Sequence, residues 1–266
     1  MAPYDFDAPD ADAILRPSDG KELRVHKFIL SLASPVFRDM FSLPQPIEPS
    51  PKIPSIDIPE SFNIIRPLVQ HLYPCSPPEV PDLETWAALY TAADKYNVEV
   101  RVMDLLRGML IPRFLETSPL RVYALASCWG FEEEAKAASR GTLTMDISNG
   151  FPEEDVRLMG SIACQNLYLL HFRCREKARF LAGHRRYQFS DVGACSCPPV
   201  DFQAVTQWVS ERVSTRPWLT AEELYEGAAT AGDSQRCSGN CRNALKNIHA
   251  WFSLILKEIS DLPQTI

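Results

Sequence analysis

Residues 12–41 read DAILRPSDGKELRVHKFILSLASPVFRDMF, and the fold turns on how this stretch divides. Ala13-Ile14-Leu15-Arg16 is a short apolar run that ends at the turn pair Asp19-Gly20. Beyond the turn, Leu23 and Val25 alternate with Glu22 and Arg24, the period of two that marks a strand buried on one face. Two short strands about an Asp-Gly turn make a hairpin. The period then changes. Phe28, Ile29, Leu32 and Ala33 fall at helical spacing, and Ser34-Pro35 supplies an N-cap followed by a proline in the first turn, where its missing N–H costs nothing. Val36, Phe37, Met40 and Phe41 repeat the spacing. The reading is a helical hairpin with Phe28, Ile29, Leu32, Val36, Phe37, Met40 and Phe41 on one apolar face. Burying each such side chain contributes ~1.5–3 kcal/mol, enough together to organise a small sheet against helices. His26 needs a polar neighbour if buried, and Asp12 across the hairpin is the expected partner.

Upstream, Asp5, Asp7, Asp10, Asp12 and Asp19 face a single base, Arg16, and the start of the chain reads as a solvated acidic arm over 1–10. Downstream, five prolines between 44 and 54 predict a loop of polyproline character, after which Ile56 and Ile58 alternate as a third short strand. Helices are predicted at 61–73, 83–96 and 98–114, the second capped by Asp82 with Trp86, Leu89, Tyr90 and Ala93 on its inner face. Ser118-Pro119 starts a further helix that Gly130 stops. Helices at 131–140 and 153–182, an irregular cysteine-containing loop at 184–200, and helices at 201–213 and 240–260 complete the pattern. The last carries Leu245, Ile248, Phe252, Ile255 and Ile259 as an apolar stripe, which core packing explains.

Composition removes several classes of function. With only 11 glycines in 266 residues, and no GxGxxG, GxxxxGK[ST] or GxSxG, the dinucleotide, P-loop and serine-hydrolase readings lose their anchors. A net charge of −7 does not give the field of a general nucleic-acid or membrane-surface binder. No apolar run approaches the ~20 residues that span a bilayer, and the acidic start is not a signal peptide. The eight cysteines then read as reduced thiols or metal ligands, and the expectation is an intracellular protein, cytoplasmic or nuclear.

The motif over 11–114 resembles the BTB/POZ domain, in the form described from fungi. The resemblance is carried by Asp12 opening the strand, the Asp19-Gly20 turn, Val25-His26-Lys27, the aliphatic pair Ile29-Leu30, and Ser34-x-x-Phe37-x-x-Met40-Phe41. Leu68-Val69-Gln70-His71-Leu72-Tyr73 and Ala92-Ala93-Asp94-Lys95-Tyr96 add two helix ends of the same type. It implies an α+β BTB/POZ fold, a small sheet with a cluster of helices, followed here by an all-α region at 115–266. It implies protein–protein interaction rather than catalysis: a self-associating scaffold whose C-terminal helices bind a partner, or alternatively a substrate adaptor of a cullin-type ubiquitin ligase. Phe28, Ile29 and Leu32 are then the candidate dimer helix, although the same residues could be core. No Kelch, MATH or ankyrin pattern follows residue 114 to serve as a separate substrate module.

Other constellations admit both a functional and a structural reading. Cys195, Cys197, Cys237 and Cys241 offer four thiolates on two turns, the count a structural zinc requires, against four free thiols in a reducing compartment. His171 and Cys174 are an i, i+3 pair that could ligate or simply share a helix face. Arg173, Arg175, Lys177, Arg179, Arg185 and Arg186 read as a solvated basic face. An Asp12–His26 catalytic pair is disfavoured because both residues lie in a packing signature. No cofactor, nucleic acid or membrane partner is expected.

Overall fold

The structure is a computed structural model and describes residues 6–43, 53–184, 202–216, 223 and 257. The chain divides into two compact units that meet in sequence between Phe114 and Leu115. In the first, β1 (Ala13–Arg16) runs between β2 (Leu23–Val25) and β3 (Ser55–Asp57). β1 pairs antiparallel with β2, Ala13 opposite Val25 and Leu15 opposite Leu23, and all four side chains are fully buried. β3 lies parallel to β1, a pairing that needs a crossover connection, and α1 (Lys27–Ala33) with α2 (Pro35–Ser42) stands in that connection. Gly20 takes φ +78° in the hairpin turn, a conformation glycine adopts without penalty.

α3 (Phe62–Leu72), α4 (Leu83–Lys95) and α5 (Val100–Phe114) complete the unit. α5 buries Val102, Leu106, Leu110 and Phe114, one residue every four, and Trp86 of α4 donates its indole N–H to Leu106 O at 2.8 Å. The buried face of α4 contains Trp86, Leu89, Tyr90 and Ala93 as expected, and Asp82 caps it by accepting from Thr85 N–H at 2.7 Å. Asp19, expected as a turn residue, also acts as a cap. Asp19 accepts from Phe62 N–H at 3.2 Å, closing the start of α3 where Ser61 provides no side-chain bond. Of the arm expected over 1–10, Phe6 is buried, edge-on to Tyr73 with ring centroids 5.2 Å apart, so the packed unit reaches back at least to Phe6.

The second unit is helical among its described residues: α6 (Pro119–Cys128), α7 (Glu132–Thr142), α8 (Glu153–His184) and α9 (Phe202–Thr215). α6 buries six residues, from Leu120 and Val122 through Ala126, because it packs on both α7 and α8. The uninterrupted helix predicted over 153–182 is corrected. Gly160 sits at φ 76°, ψ 172° and breaks α8, a backbone state open almost only to glycine. Nothing lies within 4 Å of where its Cβ would be, so backbone torsion rather than crowding demands glycine there. The polyproline loop over 44–52, the irregular loop from 185 and the final helix predicted over 240–260 (Lys257 apart) lie outside the described residues.

Each unit buries a histidine. His71 Nε2 and His171 Nδ1 are enclosed without a hydrogen-bond partner, and burial lowers both side chains to a pKa of about 4. Thr142 Oγ1 donates to Ser139 O at 2.6 Å, so it accepts from His171 Nε2–H at 2.9 Å, which fixes the neutral tautomer. Between pH 6.5 and about 4 the unfolded chain takes up protons that the folded one refuses. Stability therefore falls as pH drops through that window, on the order of 1–3 kcal/mol for each histidine. Urea denaturation at pH 7 and pH 5 measures this, and His171→Gln is expected to flatten the dependence in the second unit. Gly160→Ala is expected to destabilise the second unit by about 1–3 kcal/mol in the same assay.

Candidate protein-interaction surface

The seven residues of α1 are too few to hold a helix by propensity alone, so its shape and direction come from its attachments. Its N-cap, His26, makes no side-chain cap bond. Asp12 supplies it from β1's leading edge, Oδ1 accepting from Lys27 N–H at 2.7 Å. The predicted Asp12–His26 hydrogen bond is thus corrected: Asp12 is occupied with the helix terminus. His26 turns to Tyr73, whose hydroxyl accepts from His26 N–H at 2.8 Å and lies 3.0 Å from Nδ1. His26 Nε2 faces Asp10 Oδ1 at 3.5 Å. Both halves of the considered acid–base pair are spent on local structure.

The far end of α1 is fixed as firmly. Ser34, fully buried, donates to Tyr96 O at 2.5 Å and accepts from Phe37 N–H at 3.1 Å, and Glu99 N–H donates to Ala33 O at 2.9 Å. These anchors set which side of α1 meets the core. Leu30 and Ala33 are buried, Ile29 is half-buried, and Phe28 and Leu32 are 77% and 78% exposed. The single apolar face expected for the helical hairpin is corrected accordingly. Phe37 points inward, stacked on Tyr96 with centroids 4.6 Å apart, while Phe28 and Leu32, one turn apart, point to solvent. Leu43, just past α2, is 62% exposed as well. Sequence spacing could not separate these faces, because 28, 29, 32 and 33 form one helical stripe on paper.

The remaining sequence candidates are placed as follows. Cys195, Cys197, Cys237 and Cys241 lie outside the described residues, as do Arg185 and Arg186. Among the described residues no three histidine, cysteine or acidic side chains cluster to hold a metal. His171 and Cys174 are both buried in the second unit, where burial raises the Cys174 thiol to about 11, far from the thiolate a ligand needs. On α8, Arg173 and Arg179 are exposed, Arg179 beside Glu176 at 3.5 Å. No helix among the described residues is long and apolar enough to cross a membrane.

The first unit is thus a three-stranded sheet with a helical hairpin in its crossover and three further helices. The family model for the BTB/POZ domain matches residues 8–111, so the first unit carries a BTB/POZ domain, α+β in fold, with a helical region following. A search of curated proteins returned no match to the chain. The BTB/POZ domain makes protein–protein interaction the coarse function.

Asp12→Ala removes the side-chain cap that α1 has at Lys27 N–H and is expected to cost about 0.5–2 kcal/mol in urea denaturation. Tyr73→Phe leaves His26 N–H without its acceptor and is expected to cost about 1–3 kcal/mol. A fall below ~0.3 kcal/mol for both would contradict the anchoring described for α1.

Proposed function

We propose that the first unit self-associates through the outer face of α1, with Phe28, Ile29 and Leu32 at the contact, and that the protein works as a scaffold. The observation that carries this reading is the 77% and 78% exposure of Phe28 and Leu32 on a helix pinned at both ends. Leaving a phenylalanine and a leucine in water forgoes ~1.5–3 kcal/mol each, a cost that a partner surface recovers. Pinning matters to the energetics, because a face already held in place loses little further freedom on binding. Two side chains do not by themselves make an interface. A stable contact buries at least ~1,200 Å² in total, so Ile29 and the α2 end at Leu43 belong to the proposed footprint.

The alternative implied by the resemblance, adaptor work for a cullin-type ubiquitin ligase, is compatible with self-association. Direct pull-down of purified chain with a cullin scaffold tests it independently. Sedimentation velocity of the wild type is expected to show association that the Phe28→Asp, Leu32→Asp double variant lacks. Both positions are exposed, so the variant is expected to keep its stability within about 0.5 kcal/mol. A wild type that stays monomeric at high concentration, or a variant that associates equally well, would overturn the proposal.

A further inference from the structure

The second unit carries a groove of about 750 Å³ unrelated to α1. After the break at Gly160, one face of α8 lines it from Ser161 to Arg175, about 21 Å of helix at 1.5 Å per residue. Tyr168, Leu169 and Phe172 stand along that face with 41%, 40% and 52% of their surface exposed, and Val156 and Ile147 extend the apolar lining. The spacing of three and four residues is the stripe one helix shows to another.

Among the described residues one charged side chain lines the groove, at the last lining position of α8. Arg175 is half-buried, donates from Nη1 to Ser214 O at 3.2 Å, and lies over the Phe172 ring at 6.0 Å. Its other guanidinium N–H groups are left over, and the local acids are engaged elsewhere. Glu176 faces Arg179 at 3.5 Å, Glu223 pairs with Arg216 at 2.8 Å, and Asp146 accepts from both the N–H and the hydroxyl of Ser148. Among the described residues no carboxylate pairs with Arg175. A half-drained guanidinium at the end of an apolar trough is complementary to a carboxylate on an apolar helix.

We propose that this groove is a docking site for an amphipathic helix of a partner protein, whose apolar residues, three and four apart, lie on Tyr168, Leu169 and Phe172 and whose aspartate or glutamate meets Arg175. The docking site stands on the second unit alone and does not depend on self-association through α1. It also gives the C-terminal helices a recognition chemistry: an acidic end on an apolar stripe.

The test is selection of a displayed random library, peptides of about 16 residues so that a helix spans the groove, against the full chain. Enriched peptides are expected to carry apolar residues three and four apart with an aspartate or glutamate at one end. A synthetic enriched peptide, followed by fluorescence anisotropy, is expected to bind at least about tenfold more weakly to Phe172→Asp. Replacing its carboxylate by the amide is expected to weaken binding to the wild type by a similar factor, and to make no difference on Arg175→Gln. Because Arg175 also holds Ser214 O, Arg175→Gln can fail to fold. The carboxylate-to-amide change on the wild-type protein then carries the charge test alone. No enrichment, enriched peptides without an acidic residue, or undiminished binding to Phe172→Asp would each overturn the proposal. Self-association of the chain that Phe172→Asp abolishes would assign the groove to a second copy and overturn it equally.

Discussion

Ser34 is the constraint on which the first unit depends. Its backbone N–H closes α1 on Leu30 O, while its buried hydroxyl gives its proton to Tyr96 O and accepts Phe37 N–H, which caps α2 and fastens the corner to the end of α4. The same corner is tightened by the Phe37–Tyr96 stack and by Glu99 N–H on Ala33 O. Tyr96 is in turn held through its hydroxyl by Glu60, which also takes Lys95 Nζ at 2.6 Å. Burial pushes the Glu60 carboxyl up, but the hydrogen bonds from Lys95 and Tyr96 outweigh it and hold the group below the usual carboxylate range. The carboxylate form is thus favoured where it joins the residues before α3 to the end of α4.

This corner explains why an exposed apolar face can persist on α1. A short helix with Phe28 and Leu32 in water would ordinarily roll to bury them. Rolling would break the Asp12–Lys27 cap at one end and the Ser34 linkage at the other, and would expose Leu30 and Ala33 in exchange. The exchange gains nothing. Polar bonds at the two termini therefore decide which apolar residues serve the core and which stay exposed.

Much of the fold was legible in the sequence because local chemistry and tertiary role agree. The Asp19-Gly20 hairpin, the Ser34 and Asp82 caps and the inner face of α4 all lie where the sequence placed them. What was not legible depended on partners distant in sequence. Nothing local marks Asp12 and Asp19 as caps until the helix ends at Lys27 and Phe62 are brought beside them. Tyr73, read as the aromatic end of a helix, turned out to hold His26 across 47 residues. The break at Gly160 was invisible to periodicity, since apolar residues continue at helical spacing on both sides of it. Burial direction within α1 was undetermined for the same reason: four apolar residues share one stripe, and tertiary bonds choose between them.

On the proposed function, the outward side of α1, rather than some other apolar surface, is where the first unit meets a second copy. Hydroxyl-radical footprinting of the full chain across a concentration series tests it at the residues themselves. Phe28 and Leu32 are expected to be oxidised readily in dilute solution and to become protected as concentration rises, while Val100 and Leu105, also exposed in the first unit, keep a constant reactivity. Protection of Val100 and Leu105 with Phe28 and Leu32 unchanged would contradict the account.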